Sequence, residues 1–371
     1  MGTSRGRRFL LAAAAPVGAL LVSFIITSLV LVATGHNPFE AFGAMASAFE
    51  RVRVILGTVN QTAVYYLSAV AVAIGFKMNL FNIGVDGQYR LAAMLSAAVA
   101  GASFMSSLPG PLRIAITLIV AMAVGAFWAG IAALLKVTRG VSEVISTIML
   151  NSIATFIVAY LLTPQMLAVL EGNNISTPKI TEGGQLPVIT FTGSTTPLYT
   201  LGILAVIVGV IYALVLSRTV FGFSIKATGM SESAAVASGI SVNRMIVSAM
   251  LLSGAVAGLI GMPELLNGSS ASYSLNFPTG IGFTGIAVAL LGRNHPVGMV
   301  FSALLWAALD STANALQGVG VARELVTIMQ GIIVLAVVVA YEFVRRYRLV
   351  LEARDVARAL AAPAANVVAA A

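Results

Sequence analysis

The polar side chains that interrupt long apolar runs are the residues of this sequence placed to do chemistry. Asn60 and Gln61 lie in a run from Val54 to Phe76, Asn151 lies in Val144 to Thr163, and Glu264 ends Met245 to Glu264 beside Pro263. Asp310 and Asn314 lie in Val297 to Leu316. At bilayer depth a charge costs roughly 2.5–3.5 kcal/mol on insertion scales, so each such group must face water or protein. Two uses follow: lining a hydrated substrate path, or making interhelical hydrogen bonds of about 0.6–2 kcal/mol. Asp310 is the sharpest of them. It lies fourteen residues beyond Pro296, about 21 Å along a helix. Enzyme chemistry has little to stand on, because the only histidines are His36 and His295 and no cysteine is present. Neither a phosphate-binding GxxxxGK[ST] loop nor a GxSxG elbow occurs, so ATP hydrolysis through a P-loop would have to come from another subunit.

The elements that carry these residues follow from composition. Of 371 residues, 59% are hydrophobic and 9% charged, against roughly 45–50% and about 25% in soluble domains. Such a chain cannot cover a water-exposed surface, which excludes a soluble globular protein. The apolar runs are continuous and long, as helices crossing a bilayer require and alternating barrel strands do not. Ten are expected: Phe9–Thr34, Val54–Phe76, Tyr89–Leu108, Leu112–Leu135, Val144–Thr163, Leu198–Ser217, Met245–Glu264, Gly280–Gly292, Val297–Leu316 and Glu324–Val344. The first, behind Arg5, Arg7 and Arg8, exceeds a signal-peptide core and reads as a retained helix. With both termini cytoplasmic, sixteen Lys and Arg fall inside, Lys77 and Arg90 among them, and five outside: Arg51, Arg53, Arg113, Lys179 and Arg323. This positive-inside bias accounts for the net charge of +8 without a nucleic-acid partner. The fold expected is all-α, a single polytopic membrane domain over residues 1–358 followed by a flexible tail at 359–371.

Two loops and one short span stand out. The external loop 164–197 is rich in Gly, Thr, Ser, Asn and Pro and should cap the external mouth. In the cytoplasmic loop 218–244, Ser231 can cap a short helix, Glu232 suits its positive end, and Gly239 can close it. An Ala-rich helix so small buries little alone, and fits a groove on another protein. Gly254 and Gly258 form a GxxxG pair that lets two helix backbones approach closely. Gly280–Gly292, thirteen residues, would reach about 20 Å against a hydrocarbon core of roughly 30 Å. It is either a half-helix of the kind that builds transport pathways or a span that starts near Leu275 and tilts.

The motifs FNIGVDGQ (Phe81 to Gln88), EVISTIMLN (Glu143 to Asn151), ATGMSESAAVASGI (Ala227 to Ile240), SGAVAGLIG (Ser253 to Gly261) and GFTGIAVALLGRNHPVG (Gly282 to Gly298) occur in that order. Together they resemble the permease subunits of bacterial ABC importers, a group serving ribose-type sugars, branched-chain amino acids and nucleosides. Within it, the sequence looks most like the nucleoside or simple-sugar permeases that work with basic-membrane-protein-type lipoproteins. The resemblance implies a multi-pass protein of the bacterial cytoplasmic membrane that moves nucleosides by alternating access. The alternative cargoes are a pentose, a hexose or a branched-chain amino acid. No cofactor would be bound by this chain; ATP and Mg would sit on partner ATPase subunits, expected as a tandem-cassette protein. A second permease, expected as a paralogue forming a heterodimer, and an extracytoplasmic substrate-binding lipoprotein are the other partners implied. The matching cytoplasmic loop would couple to the ATPases through Gly229, Glu232, Ala235 and Gly239. Asn82, Asp86 and Gln88 would hold a turn or gate on the cytoplasmic side, with Asp86 where the family usually has Glu. An ion-coupled secondary transporter using Glu264 and Asp310 is the competing reading, and it leaves the coupling loop unexplained.

Overall fold

The computed structural model describes residues 18, 21–171, 174–268 and 270–361. Arg5, Arg7 and Arg8, the start of the first expected span, and the tail from 362 onward lie outside the described residues, whereas 359–361 are the last turn of a helix. Two compact units result: Met1–Ala44 with Asn314–Ala371, and Met45–Ala313. Helix α1 (Leu21–Ala33) bends by 117° into α2 (Pro38–Ala48), which belongs to the first unit as far as Ala44, and Phe24 stacks on Phe42 at 4.6 Å. The longest element of this unit is α14 (Glu324–Ala361).

The second unit is built around α3 (Val52–Phe76), whose segment from Leu67 to Ala73 is fully buried. Small residues make this possible: Ser68, Ala69, Ala71 and Ala73 let neighbours close on every side. Around it lie α4 (Val85–Ala100), α5 (Gly110–Arg139), α6 (Glu143–Leu161), α7 (Gly202–Arg218), α10 (Val242–Gly258), α11 (Met262–Asn267), α12 (Ile281–Leu291) and most of α13 (Pro296–Gln317). The GxxxG expectation is realised between α5 and α10. A Cβ on Gly254 would stand 2.3 Å from the Gly125 carbonyl oxygen, and one on Gly258 2.0 Å from that of Ala121. The turn between α5 and α6 is held by Lys136, whose ammonium donates to the Glu143 carboxylate at 2.6 Å.

Ten spans were expected, and the helices differ from them in length. Among the described residues six helices are long and apolar enough to cross a membrane, or up to eight if each bent pair counts as one. The expected spans Tyr89–Leu108 and Gly280–Gly292 become α4, of 16 residues, and α12, of 11. Neither is among the helices long and apolar enough to cross by themselves: α4 ends at Ala100 and a short 3-10 turn, Ser103–Ser107, follows it, while α12 keeps the short bounds of its apolar run. The external loop 164–197 carries two small antiparallel hairpins, Val169–Glu171 with Asn174–Ser176 and Val188–Ile189 with Leu198–Tyr199. Beneath it lies Arg113, 6% exposed, whose Nη2 donates to the Thr181 hydroxyl.

Candidate functional site

The α3–α4 connection does not stay at the end of the helices. After Phe76 the chain turns sharply, with the Leu80 amide donating to the Gly75 carbonyl at 3.0 Å, and FNIGVDGQ then runs back between α3 and α10. Asn82, 1% exposed, donates through Nδ2 to the Ser253 hydroxyl (2.8 Å) and to Gln88 Oε1 (3.0 Å). Its Oδ1 accepts from the Gly84 amide (3.1 Å) and from Gln88 Nε2 (2.9 Å). Ser253 in turn donates to the Ala71 carbonyl at 2.6 Å. Ala71 is five residues before the end of α3, about 7–8 Å from it. A turn expected on the cytoplasmic surface therefore sits within the unit. The cause is the carboxamide of Asn82, which mimics a peptide group and satisfies the turn and two helices together.

This loop makes α4 start in the interior, where it meets the start of α12. The Asp86 carboxylate, 7% exposed, accepts from the Gly282 amide at 3.2 Å. A Cβ on Gly282 would come within 2.2 Å of the Asp86 nitrogen, so the two helix beginnings touch backbone to backbone. Ser68 fixes the same point from α3, donating to the Ile281 carbonyl at 2.8 Å. Two helix N-termini converge there, and a carboxylate between them answers both partial positive charges. Aspartate is long enough for this contact. The 11-residue α12 thus begins about 12 Å inside the unit, taken from Ser68 to the end of α3.

The intramembrane amides divide sharply. Asn151 donates to the Ile83 carbonyl and accepts from the Gly87 amide, both at 2.8 Å, which pins FNIGVDGQ to α6. Asn60 donates to the Pro197 carbonyl and accepts from the Tyr199 amide, both at 2.9 Å, which pins the outer hairpin to α3. Both are candidates for a substrate path, and in each the side-chain oxygen and one amide N–H are engaged by backbone. Gln61 is half-buried beside Asn60. Glu264 accepts from the Tyr199 hydroxyl at 3.1 Å, and Asp310 accepts from the hydroxyl of Tyr65. Asn314 falls in the other unit and is exposed. Hence the structure gathers Asn82, Asp86, Gln88 and Asn151 into one polar junction and leaves Asn60 with Glu264, and Asp310, at separate places. Ser68, Ser253 and Asn267 were missed. Asn267 accepts from the Leu201 amide at 3.0 Å and donates to the Pro187 carbonyl at 3.1 Å; each is a lone small polar residue whose partner is remote in sequence. Arg90, counted on the cytoplasmic side at the start of the third expected span, lies inside α4 and donates to the Thr155 hydroxyl of α6 at 3.0 Å.

The loop 218–244 folds as expected in its centre. Helix α8 (Val220–Met230) leaves α7 at 74°, and α9 (Glu232–Ala237) follows, capped by Ser231, whose hydroxyl accepts from the Ala234 amide at 3.3 Å. Gly239 closes it with φ +78°, a left-handed conformation costly for other residues. Ala235 is buried, but Val220, Phe223, Met230 and Val236 are more than half exposed and form an apolar surface. Burial, together with the cations Lys226 and Arg293, pushes the Lys77 ammonium below the ordinary lysine value. The folded protein therefore favours the neutral amine, so stability rises as pH climbs through that lowered value toward the ordinary one. Thermal unfolding followed from about pH 8 to about pH 10 should show this rise, and Lys77→Gln should flatten it; an equal rise in the variant would exclude Lys77 as its source.

A family model described as "Branched-chain amino acid transport system / permease component" matches residues 54–338. The nucleoside ABC transporter permease protein NupB of Lactococcus lactis is 33% identical over 88% of this chain and 90% of its own. The guanosine ABC transporter permease protein NupP of Bacillus subtilis is 34% identical over 88% of this chain and 93% of its own. The glucose ABC transporter permease protein TsgB13 of Haloferax volcanii is 31% identical over 91% and 90%. No solved structure matches the chain.

Proposed function

The chain belongs to the family of branched-chain amino acid transport system permease components, and from that premise we propose that it carries nucleosides through the cytoplasmic membrane as the permease subunit of an ATP-driven importer. It is a multi-pass membrane protein, as its six or more long apolar helices require. One observation carries the cargo: permeases named for nucleosides and guanosine share 33–34% of its residues over nearly their whole lengths. The relative named for glucose, at 31%, keeps a sugar as the second reading.

Association with ATPase and substrate-binding partners follows from the family. We assign the finer arrangement to ten membrane segments with both termini cytoplasmic, a tandem-cassette ATPase, a paralogous second permease and a substrate-binding lipoprotein. The exposed apolar surface on α8 and α9 supports the ATPase contact, since a surface of that kind beside a short capped helix suits a groove on a partner. Glu232, Ala235 and Gly239 then shape the coupling helix, while Gly229 faces inward. ATP binding would move this helix and switch a path between the two membrane faces. Asn60, Gln61, Asn151, Glu264 and Asp310 are the path residues of this reading, and the neutral amides of Asn60, Gln61 and Asn151 suit a nucleoside better than an ion.

Cells lacking the chain should lose uptake of radiolabelled nucleosides and regain it with the wild-type chain. Excess unlabelled nucleoside should compete, and excess glucose or leucine should not. Competition by glucose alone would move the cargo to the sugar reading.

A further inference from the structure

We propose that Asn79 is the positioning residue through which the coupling segment moves the interior polar junction, an inference that rests on the importer reading above. Its Nδ2 donates to the Gly229 carbonyl at 2.7 Å, joining the α3–α4 loop to the last turn of α8. The two backbones are in contact at the same place, for a Cβ on Gly229 would lie 2.2 Å from the Lys77 carbonyl oxygen and 2.9 Å from the Met78 Cα. Gly229, expected to face an ATPase, is thus an internal contact, and α8 cannot shift without pressing on residues 77–79.

From Asn79 the route inward is short. Asn79 adopts φ +55°, a left-handed conformation that asparagine tolerates better than most residues, and this reverses the chain toward Phe81. Three residues later Asn82 holds Ser253 of α10 and Gln88 of α4, and four beyond that Asp86 holds the first turn of α12. Lys226 and Arg293 act as like charges on Lys77, two residues before Asn79. The contact is therefore held by the Asn79 bond and close backbone packing against like charge, which suits a joint that is made in one state and released in another.

Two variants separate the bond from the backbone. Asn79→Gly keeps the left-handed turn and removes the donor; Asn79→Asp keeps size and sets a carboxylate against the Gly229 carbonyl. The complete importer, with ATPase and binding subunits, is reconstituted in vesicles, and nucleoside uptake and ATP hydrolysis are read together. Both variants should assemble and hydrolyse ATP near the wild-type rate while uptake falls about tenfold, the range a single hydrogen bond can command in an equilibrium. Wild-type ATP consumption per solute in Asn79→Gly, or failure of both variants to assemble, would overturn the proposal. Absence of ATP-driven uptake by the wild-type complex would instead refute the importer reading itself.

Discussion

Gly254→Leu should eliminate monodisperse protein from detergent extracts, and even Gly254→Ala should lower its thermal stability sharply. The added Cβ meets the Gly125 carbonyl oxygen at 2.3 Å, and the reverse approach, from Gly125 to the Gly254 carbonyl, is 2.1 Å. Neither obstacle is a side chain that can turn away. Overpacking a core costs about 1–3 kcal/mol when side chains can adjust, so a backbone collision between α5 and α10 belongs at or above about 3 kcal/mol. That is a large part of the roughly 5–15 kcal/mol that keeps a domain folded. Gly57 provides the control, because nothing lies within 4 Å of the place its methyl group would take, and Gly57→Ala, inside α3, should unfold at or slightly above the wild-type temperature. Wild-type stability in Gly254→Ala would show that α5 and α10 do not pack as described.

Asn82→Ala carries the second large effect. It removes a donor shared by Ser253 and Gln88 and an acceptor shared by the Gly84 amide and Gln88. Gln88 is 1% exposed, so water cannot replace what its amide loses. Leaving buried polar groups without partners costs about 1–3 kcal/mol each, with incomplete additivity, and about 3 kcal/mol in all is expected. Because the loop aligns the starts of α4 and α12, uptake should fall in the protein that still inserts. An unchanged unfolding temperature with normal uptake would reduce Asn82 to a passive turn residue.

Local signals made much of this legible in the sequence. Ser231, Glu232 and Gly239 lie within nine residues, so the capped α9 could be read from their order alone. The GxxxG pair announced a close approach, and the short apolar run after Gly280 left a half-helix and a longer tilted span open; the helix begins at Ile281, not near Leu275. What escaped depends on partners far away along the chain. Asn82 is held by Ser253, 171 residues on, and without that contact FNIGVDGQ reads as an ordinary turn between two spans. Asn60 and Asn151 show the same limit from the other side. An amide in an apolar helix can satisfy a backbone segment or a solute with the same two groups, and the backbone partners at residues 197–199 and 83–87 are far from them along the chain. Helix α4 starts four residues earlier than expected and ends at Ala100 because the Asn82 turn, not hydropathy, sets where it begins.

In the mechanism proposed, ATP hydrolysed on partner subunits drives a nucleoside through this chain by way of α9. The direct measurement is uptake of a radiolabelled nucleoside into vesicles holding the complete importer, with and without ATP, for the wild type and for Glu232→Arg combined with Val236→Glu. Both positions are exposed, so the changed chain should insert and fold normally. Uptake that requires ATP in the wild type and is lost in the variant is the result expected. Nucleoside uptake indifferent to ATP, or undiminished in the variant, would contradict it.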